Sequence, residues 1–423
     1  GFISFGGPAG QIAIMHTELV ERRRWISEKR FLHALNYCMV LPGPEAQQLA
    51  TYMGWLMHRG WGAVAAGGLF VLPSLFILIA LSWLYMAYGE LPVVAGLFYG
   101  IKPAVTAVVV HAAHRIGARA LRNAWLWAIA CASFVAIFAL EVPFPAIVLS
   151  AALLGWLGGR YAPERFRAGG GHSARTAAWG PALIDDDTPT PEHARFSVLR
   201  LLRVLLLGAV LWLVPMGLLQ TVYGWEHTFT QMGWFFTKAA LLTFGGAYAV
   251  LPYVYQGAVH HYGWLSPEQM IDGLALGETT PGPLIMVVAF VGFVGGYVKQ
   301  LFGPDALFLA GAMAACLVTW FTFLPSFVFI LAGGPLVEST RHMPGLQGPL
   351  QAISAAVIGV MLHLAGVFAR QTWWPGGWHM PPDLMALALT AVATWALVKK
   401  QYGVMKVLGV CTVAGLLWHL IKA

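Results

Sequence analysis

The sequence predicts an all-α polytopic membrane protein: two inverted-topology repeats of transmembrane helices, with broken or re-entrant helices at Gly/Pro motifs. Three observations carry that expectation. The composition is too apolar for water, runs of membrane-crossing length recur, and one pair of motifs is written twice beside loops of unequal charge. The chain has 423 residues, of which 58% are hydrophobic and only 10% charged, with mean hydropathy +0.69. Soluble domains of ordinary composition cannot bury that much apolar surface. Runs able to cross about 30 Å of hydrocarbon, roughly 20 residues each, lie near 61–86, 92–113, 124–141, 143–159, 199–220, 305–333, 349–369, 383–398 and 403–421. Their length, without alternating ten-residue segments, favours helices over a barrel. Because Gly1 stands in an apolar stretch, the first membrane element is expected to be incomplete.

Phe5-Gly6-Gly7 recurs as Phe244-Gly245-Gly246, and Pro42-Gly43-Pro44 as Pro281-Gly282-Pro283, both at a spacing of 239 positions (5 to 244, 42 to 281). Val20, Trp25, Ser27 and Leu35 match Val259, Trp264, Ser266 and Leu274 without a gap. Leu72-Pro73-Ser74 resembles Leu324-Pro325-Ser326, and Ala104-Val105-Thr106-Ala107 resembles Ala352-Ile353-Ser354-Ala355, at shifted spacings that indicate loop insertions. Internal self-similarity of this kind is the mark of a duplicated architecture.

Loop charge sets orientation, since Lys and Arg collect in the cytoplasm. Arg22, Arg23, Arg24, Lys29 and Arg30 follow the first Gly-Gly motif, whereas its counterpart, 256–269, carries only His260 and His261. One loop is therefore expected inside and the other outside, with the halves antiparallel. Arg115, Arg119 and Arg122, read as a loop after one span, join Arg341, Lys399, Lys400 and Lys406 on the cytoplasmic side, while Arg370 and Lys299 fall outside. The run at 199–220 supplies the odd crossing. Three parts follow: a first repeat at 1–160, a flexible cytoplasmic linker at 161–197, and a connecting helix plus the inverted second repeat at 198–423. Within the linker, Asp185-Asp186-Asp187 reads as a solvated charge run.

Proline and glycine inside an apolar span free backbone groups that lipid cannot satisfy. Helices restarting after Pro8, Pro44 and Pro283 would aim amides and positive dipole ends at the breaks, a ready anion site. Candidate substrate-binding residues are Ser4, Gly6, Gly7, Pro8, Pro42, Gly43, Pro44, Gln47, Gln48 and Thr51 in the first half. Lys102 joins them from an apolar span, and Thr243, Gly245, Gly246, Thr279, Thr280, Pro281, Gly282 and Pro283 match them in the second half.

Ionisable groups inside a membrane are functional candidates. Glu45 and Glu278 read either as proton carriers or as helix-end carboxylates. His114, with His111 one turn earlier, reads as a proton relay or an interfacial pair. Lys102 reads either as a buried functional cation or as a residue snorkelling to the interface; Lys238 has the same two readings with less context. Trp55, Trp83, Tyr85 and Trp418 sit at span ends and read as interfacial belts.

Several function classes are excluded or weakened. A net charge of +7 and pI near 9.3 sit in short loops between spans, which speaks against nucleic acid. Cys38, Cys131, Cys316 and Cys411 show no paired spacing, so no disulfide, metal site or other cofactor is implied. The chain has no Gly-Lys dipeptide, hence no Walker A motif, and no dinucleotide fingerprint.

Ser4-Phe5-Gly6-Gly7-Pro8, Glu21-Arg22-Arg23-Arg24-Trp25, Leu41-Pro42-Gly43-Pro44-Glu45-Ala46-Gln47-Gln48 and Glu278-Thr279-Thr280-Pro281-Gly282-Pro283 resemble the paired motifs of the long-chain, two-domain chromate ion transporter family. The resemblance implies a multi-pass protein of the bacterial inner membrane that exports chromate as a secondary transporter and confers chromate resistance, with no enzymatic activity. Its partner is a small inorganic oxyanion, with sulfate a chemically similar one, and a homodimer is compatible with it. A sulfate or other oxyanion carrier and an anion channel stand as alternatives. The second half has Ala247 where the first has Pro8, so the two sites are not equivalent.

Overall fold

Ser27 and Ser266, matched positions of the repeat, each cap a helix. The Ser27 hydroxyl accepts from Arg30 N at 3.3 Å and the Ser266 hydroxyl from Gln269 N at 3.2 Å. Gln269 closes a capping box by accepting from Ser266 N at 2.8 Å. The helices they start, α2 (Glu28–Val40) and α10 (Pro267–Thr279), begin and end 239 positions apart. Ahead of them α1 (Gly7–His16) and α9 (Ala247–Tyr255) each pass into a π-helical turn, Thr17–Arg22 and Gln256–His261. The duplicated sequence thus yields duplicated structure, boundary for boundary.

The computed structural model describes residues 7–89, 91–161, 181–189, 191–244, 247–339 and 347–422. Among them are fifteen α-helices and no β-strand. The first half continues with α3 (Glu45–Tyr88), α4 (Pro92–Ala120), α5 (Ala124–Ala139) and α6 (Phe144–Tyr161). Then come α7 (Val198–Tyr223) and α8 (Thr228–Leu242). The second half adds α11 (Val287–Val298), α12 (Leu307–Ser339), α13 (Gln347–Trp373), α14 (Leu384–Val398) and α15 (Val404–Lys422). Seven of these helices, α3, α4, α6, α7, α12, α13 and α15, are long and apolar enough to cross a membrane, while α5, α11 and α14 are apolar but shorter. Leu202, Leu206, Leu213 and Val222 are exposed along α7, as lipid contact requires.

Helix α3 is two helices in one. His58 and Arg59 leave helical geometry, Arg59 with φ +57°, and the chain folds back so closely that a Cβ on Gly54 would meet the Gly62 carbonyl at 2.2 Å. Helices α11 and α12 form the matching hairpin, Gly292 and Gly296 lying against Ala314 and Ala310. Small residues allow such backbone approach. The segment Glu45 to Met57 is therefore short, about 20 Å at 1.5 Å per residue, less than the hydrocarbon thickness.

Contacts between matched helices give the relative direction of the halves. Gly67 of α3 lies against Phe327 of α12 and Trp83 against Phe308, 6.0 Å between ring centres, so these counterparts run antiparallel. Thr106 and Thr372 hydroxyls meet at 3.2 Å, while Gly117 lies near Ile358, so α4 and α13 are antiparallel as well. The repeats are inverted, as the charge pattern led one to expect.

The terminal helices are exchanged. Helix α15 packs on α4, with a Cβ on Gly100 reaching the Cys411 carbonyl at 2.1 Å, and α6 packs on α13 through Gly155 and Gly348. Helix α5 also lies along α13, where Gly359 abuts the Ala130 carbonyl. Each half's last pair covers the other half's helix.

Three expectations change. Trp55 is 5% exposed and packs on Gly334, and Tyr85 bonds inside the protein, so neither belongs to an interfacial belt; both point toward partners the linear sequence hides. Arg115 is not in a loop, because α4 continues to Ala120. The linker is not free along its described part: Leu183 N and Ile184 N donate to Arg24 O at 2.9 Å and Trp25 O at 3.0 Å. Ser27 donates to Asp186 at 2.7 Å, and Ile184 enters the core around Val20, Ile26 and Phe31. An apolar residue followed by acids suits a basic loop with an apolar floor.

Candidate functional site

Both Pro-Gly-Pro segments form the tips of re-entrant hairpins. On the second, Gly277 lies against Val287 and Gly273 against Phe290, so α10 descends to the tip and α11 returns beside it. On the first, Tyr37 of α2 and Tyr52 of α3 approach to 6.5 Å between ring centres on either side of the tip. Gly43 has φ +128° and Gly282 φ +120°, values that side-chain-bearing residues rarely adopt. The flanking prolines end one helix and open the next: Pro44 caps α3 and Pro283 caps the 3-10 turn Leu284–Met286.

Each tip is clasped by the opposite half. Ser326, just after Pro325 in α12, stands where a Cβ on Gly43 would be 2.4 Å from its hydroxyl. Ser74, just after Pro73 in α3, stands 1.7 Å from such a Cβ on Gly282 and donates to the Pro281 carbonyl. The resemblance of the two Leu-Pro-Ser triplets acquires a physical meaning, since each serine meets the other half's glycine. Ser326 lies level with Gly67, about two helical turns or ~10 Å along α3 from Ser74. The two tips therefore flank a single helix crossing.

Polar side chains collect around these tips. Gln48 donates from Nε2 to the Pro42 carbonyl at 2.8 Å and Gln47 from Nε2 to Thr51 Oγ1 at 2.9 Å; all three are fully buried. Gln11, on α1, donates to the Gly282 carbonyl at 2.5 Å. Thr243 receives the Gly43 N–H on its carbonyl at 2.8 Å. The Oε1 atoms of Gln11, Gln47 and Gln48 and the hydroxyl of Ser326 have no hydrogen-bond partner. Buried polar atoms are ordinarily satisfied by protein or by ordered water, so a group of them without a protein partner makes these tips the candidate site.

At the first tip the Gly43 N–H is occupied by the Thr243 carbonyl. The amides of Glu45, Ala46 and Gln47 precede the first helical hydrogen bond, Gln48 N to Pro44 O at 2.9 Å. Thr279 and Thr280 turn their hydroxyls back to Leu276 O at 3.1 and 2.6 Å, sealing the end of α10. Gly7 and Pro8 open α1, with Pro8 in its first turn as expected. Ser4, Gly6, Gly245 and Gly246 lie outside the described residues.

The charged candidates separate. Glu278, 7% exposed, accepts from the Tyr248 hydroxyl at 2.5 Å. Glu45 is half-buried at the start of α3. Arg115 acts electrostatically on both carboxylates, a cation that the reading of it as a loop residue concealed. Lys238 stacks over Trp234 at 5.7 Å. His114 is exposed, while the half-buried His111 has an unpartnered Nδ1. Lys102 pairs with Asp272 at 3.7 Å, and Asp272 is a residue that pattern reading missed; its matched position is His33, so the repeat gave no signal.

Inverted repeats, re-entrant tips and buried polar groups at a helix crossing define the class, a multi-pass membrane transporter. The chain belongs to the chromate transporter family, whose model matches residues 1–156 and 230–416. The unmatched stretch between them contains the linker and α7. The chain is 28% identical to a chromate transport protein of Cupriavidus metallidurans, over 93% of this chain and 84% of that one. It is 33% identical to a chromate transport protein of Pseudomonas aeruginosa, over 85% and 76%. A probable chromate transport protein of Synechococcus elongatus is 26% identical, over 95% and 88%. No solved structure matches the chain.

Proposed function

We propose that the protein is a secondary active transporter that exports chromate across the bacterial inner membrane and thereby gives chromate resistance. The observation that carries this reading is the reciprocal clasp, Ser326 on Gly43 and Ser74 on Gly282. Two hairpin tips held by opposite halves can exchange access between the two sides without opening a continuous pore. Hydroxyls, amide side chains and first-turn N–H groups offer a tetrahedral dianion neutral donors. Curated relatives named for chromate transport supply the ion. The basic loop Arg22 to Arg30, bridged to the Asp186 segment, marks the cytoplasmic side.

Everted membrane vesicles containing the protein should accumulate chromate when energised, and unlabelled sulfate should compete. Accumulation no greater than in vesicles lacking the protein would overturn the carrier reading. Flux that neither saturates nor responds to an imposed gradient would identify a channel, and preferential competition by sulfate would reassign the substrate within the same ion class.

A further inference from the structure

Asp272 lies in the middle of α10, the descending arm of the second hairpin, and is 3% exposed. Its Oδ2 takes the Tyr85 hydroxyl at 2.9 Å and faces Lys102 Nζ at 3.7 Å. Its Oδ1 is buried with no partner. Lys102 belongs to α4 and its side chain keeps 29% of its surface exposed. Tyr85 comes from the end of α3 and is held edge-on by Phe98 and Phe290 at 5.0 and 5.4 Å. These are the titratable groups set against Asp272 from other helices, with Glu268 one turn earlier on its own.

A carboxylate and an ammonium withdrawn from water are costly unless each neutralises the other. Here the compensation is partial. The ammonium stands beyond hydrogen-bonding distance and one carboxylate oxygen has nothing. Neither member is repeated: the positions matched to Asp272 and Lys102 hold His33 and Leu350. The scaffold is symmetric and this charge pair is not, so the pair is an addition to it. It also joins the hairpin arm α10 to the separate long helix α4.

We propose that Asp272 and Lys102 form an exchange pair in which an oxyanion and the Asp272 carboxylate compete for the Lys102 ammonium. A proton taken up on the open Oδ1 neutralises Asp272, releases Lys102 and admits the dianion; loss of that proton restores the pair and expels the ion. One carboxylate then links one proton to each binding event, so each loaded site carries one net negative charge. Outward movement is drawn by the inside-negative membrane potential and opposed by the proton gradient. The inference rests on the carrier reading and adds the residue that couples it to protons.

The test is chromate binding to the purified full chain in detergent, measured by calorimetry across a pH series, beside proteoliposome uptake. Wild-type affinity should rise as pH falls, approaching about tenfold per pH unit where one proton is taken up with each ion. Asp272→Asn should bind tightly with no pH slope and catalyse exchange without proton-driven accumulation; Lys102→Gln should bind weakly with no slope. Asp272→Asn keeping the wild-type slope overturns the pair while leaving the carrier reading intact. Wild type binding neither chromate nor sulfate overturns both. Should Asp272→Asn not fold, Tyr85→Phe removes one donor from the carboxylate and should move the midpoint of the binding profile to higher pH. A folded Tyr85→Phe protein with an unmoved profile overturns the pair.

Discussion

A Cβ built on Gly282 would lie 1.7 Å from the Ser74 hydroxyl, which itself donates to the neighbouring Pro281 carbonyl. Gly43 meets Ser326 and the end of Gln48 at 2.4 and 2.6 Å. The two tips are built alike but filled to different degrees, because each glycine faces a serine beside proline, at 1.7 Å for Gly282 and at 2.4 Å for Gly43. Gly282→Ala should therefore abolish chromate uptake and lower thermal stability. Gly43→Ala should retain more of both. Equal loss in uptake and melting assays would contradict the steric ranking.

Ser74→Ala separates clasp from crowding. It deletes one buried hydrogen bond at a cost of about 1 kcal/mol and leaves the backbone of the tip unchanged. Folding should survive, with the uptake rate reduced more than the apparent affinity. Denaturant titration and uptake kinetics on the same preparation check both parts.

The Tyr248–Glu278 bond joins α9 to the hairpin arm in a fully buried setting. Tyr248→Phe leaves the carboxylate without its donor, and a hydrogen bond to a charged group contributes roughly 1.5–3 kcal/mol. The variant should be less stable by about that amount. Glu278→Gln, which keeps an acceptor for the tyrosine, should be milder. A Phe variant as stable as wild type would show that the carboxylate finds another partner.

Asp185 sits outside the spans, and the N–H groups of Ala182 and Asp186 hold its carboxyl below the usual carboxylate range. A depressed native value means that its contribution is present above the unfolded value and is lost as pH falls through the native one. The docking of residues 181–189 on the basic loop should therefore persist through mildly acid pH and loosen only in stronger acid. Asp185→Ala should raise hydrogen exchange at Leu183 and Ile184 at neutral pH, and unchanged exchange would assign the docking to Ile184 burial alone.

Much of the scaffold was legible because duplication leaves an arithmetic trace. The spacing that pairs Ser27 with Ser266 also pairs the ends of α2 and α10, and Pro-Gly-Pro reports a break wherever lipid forbids loose backbone. The fold-back inside α3 was hidden, since His58 and Arg59 carry no glycine or proline at the turn itself. Helix α8 was passed over because its apolar run is short and mixed with Gln231, Thr237 and Lys238. Of the site, the motif residues were readable. Their partners Ser74, Ser326, Gln11, Tyr85 and Asp272 were not, because each acts across the helix crossing on a segment far away in the chain.

The swapped terminal helices carry a mechanical consequence. With α15 seated on α4 and α6 on α13, neither half owns a complete outer wall, and tilting one against the other would tear two close glycine seams together. In the proposed carrier, motion that switches access from one membrane face to the other would thereby be channelled into the two hairpins. A protein assembled in this way behaves as a fixed frame with a pair of small internal latches.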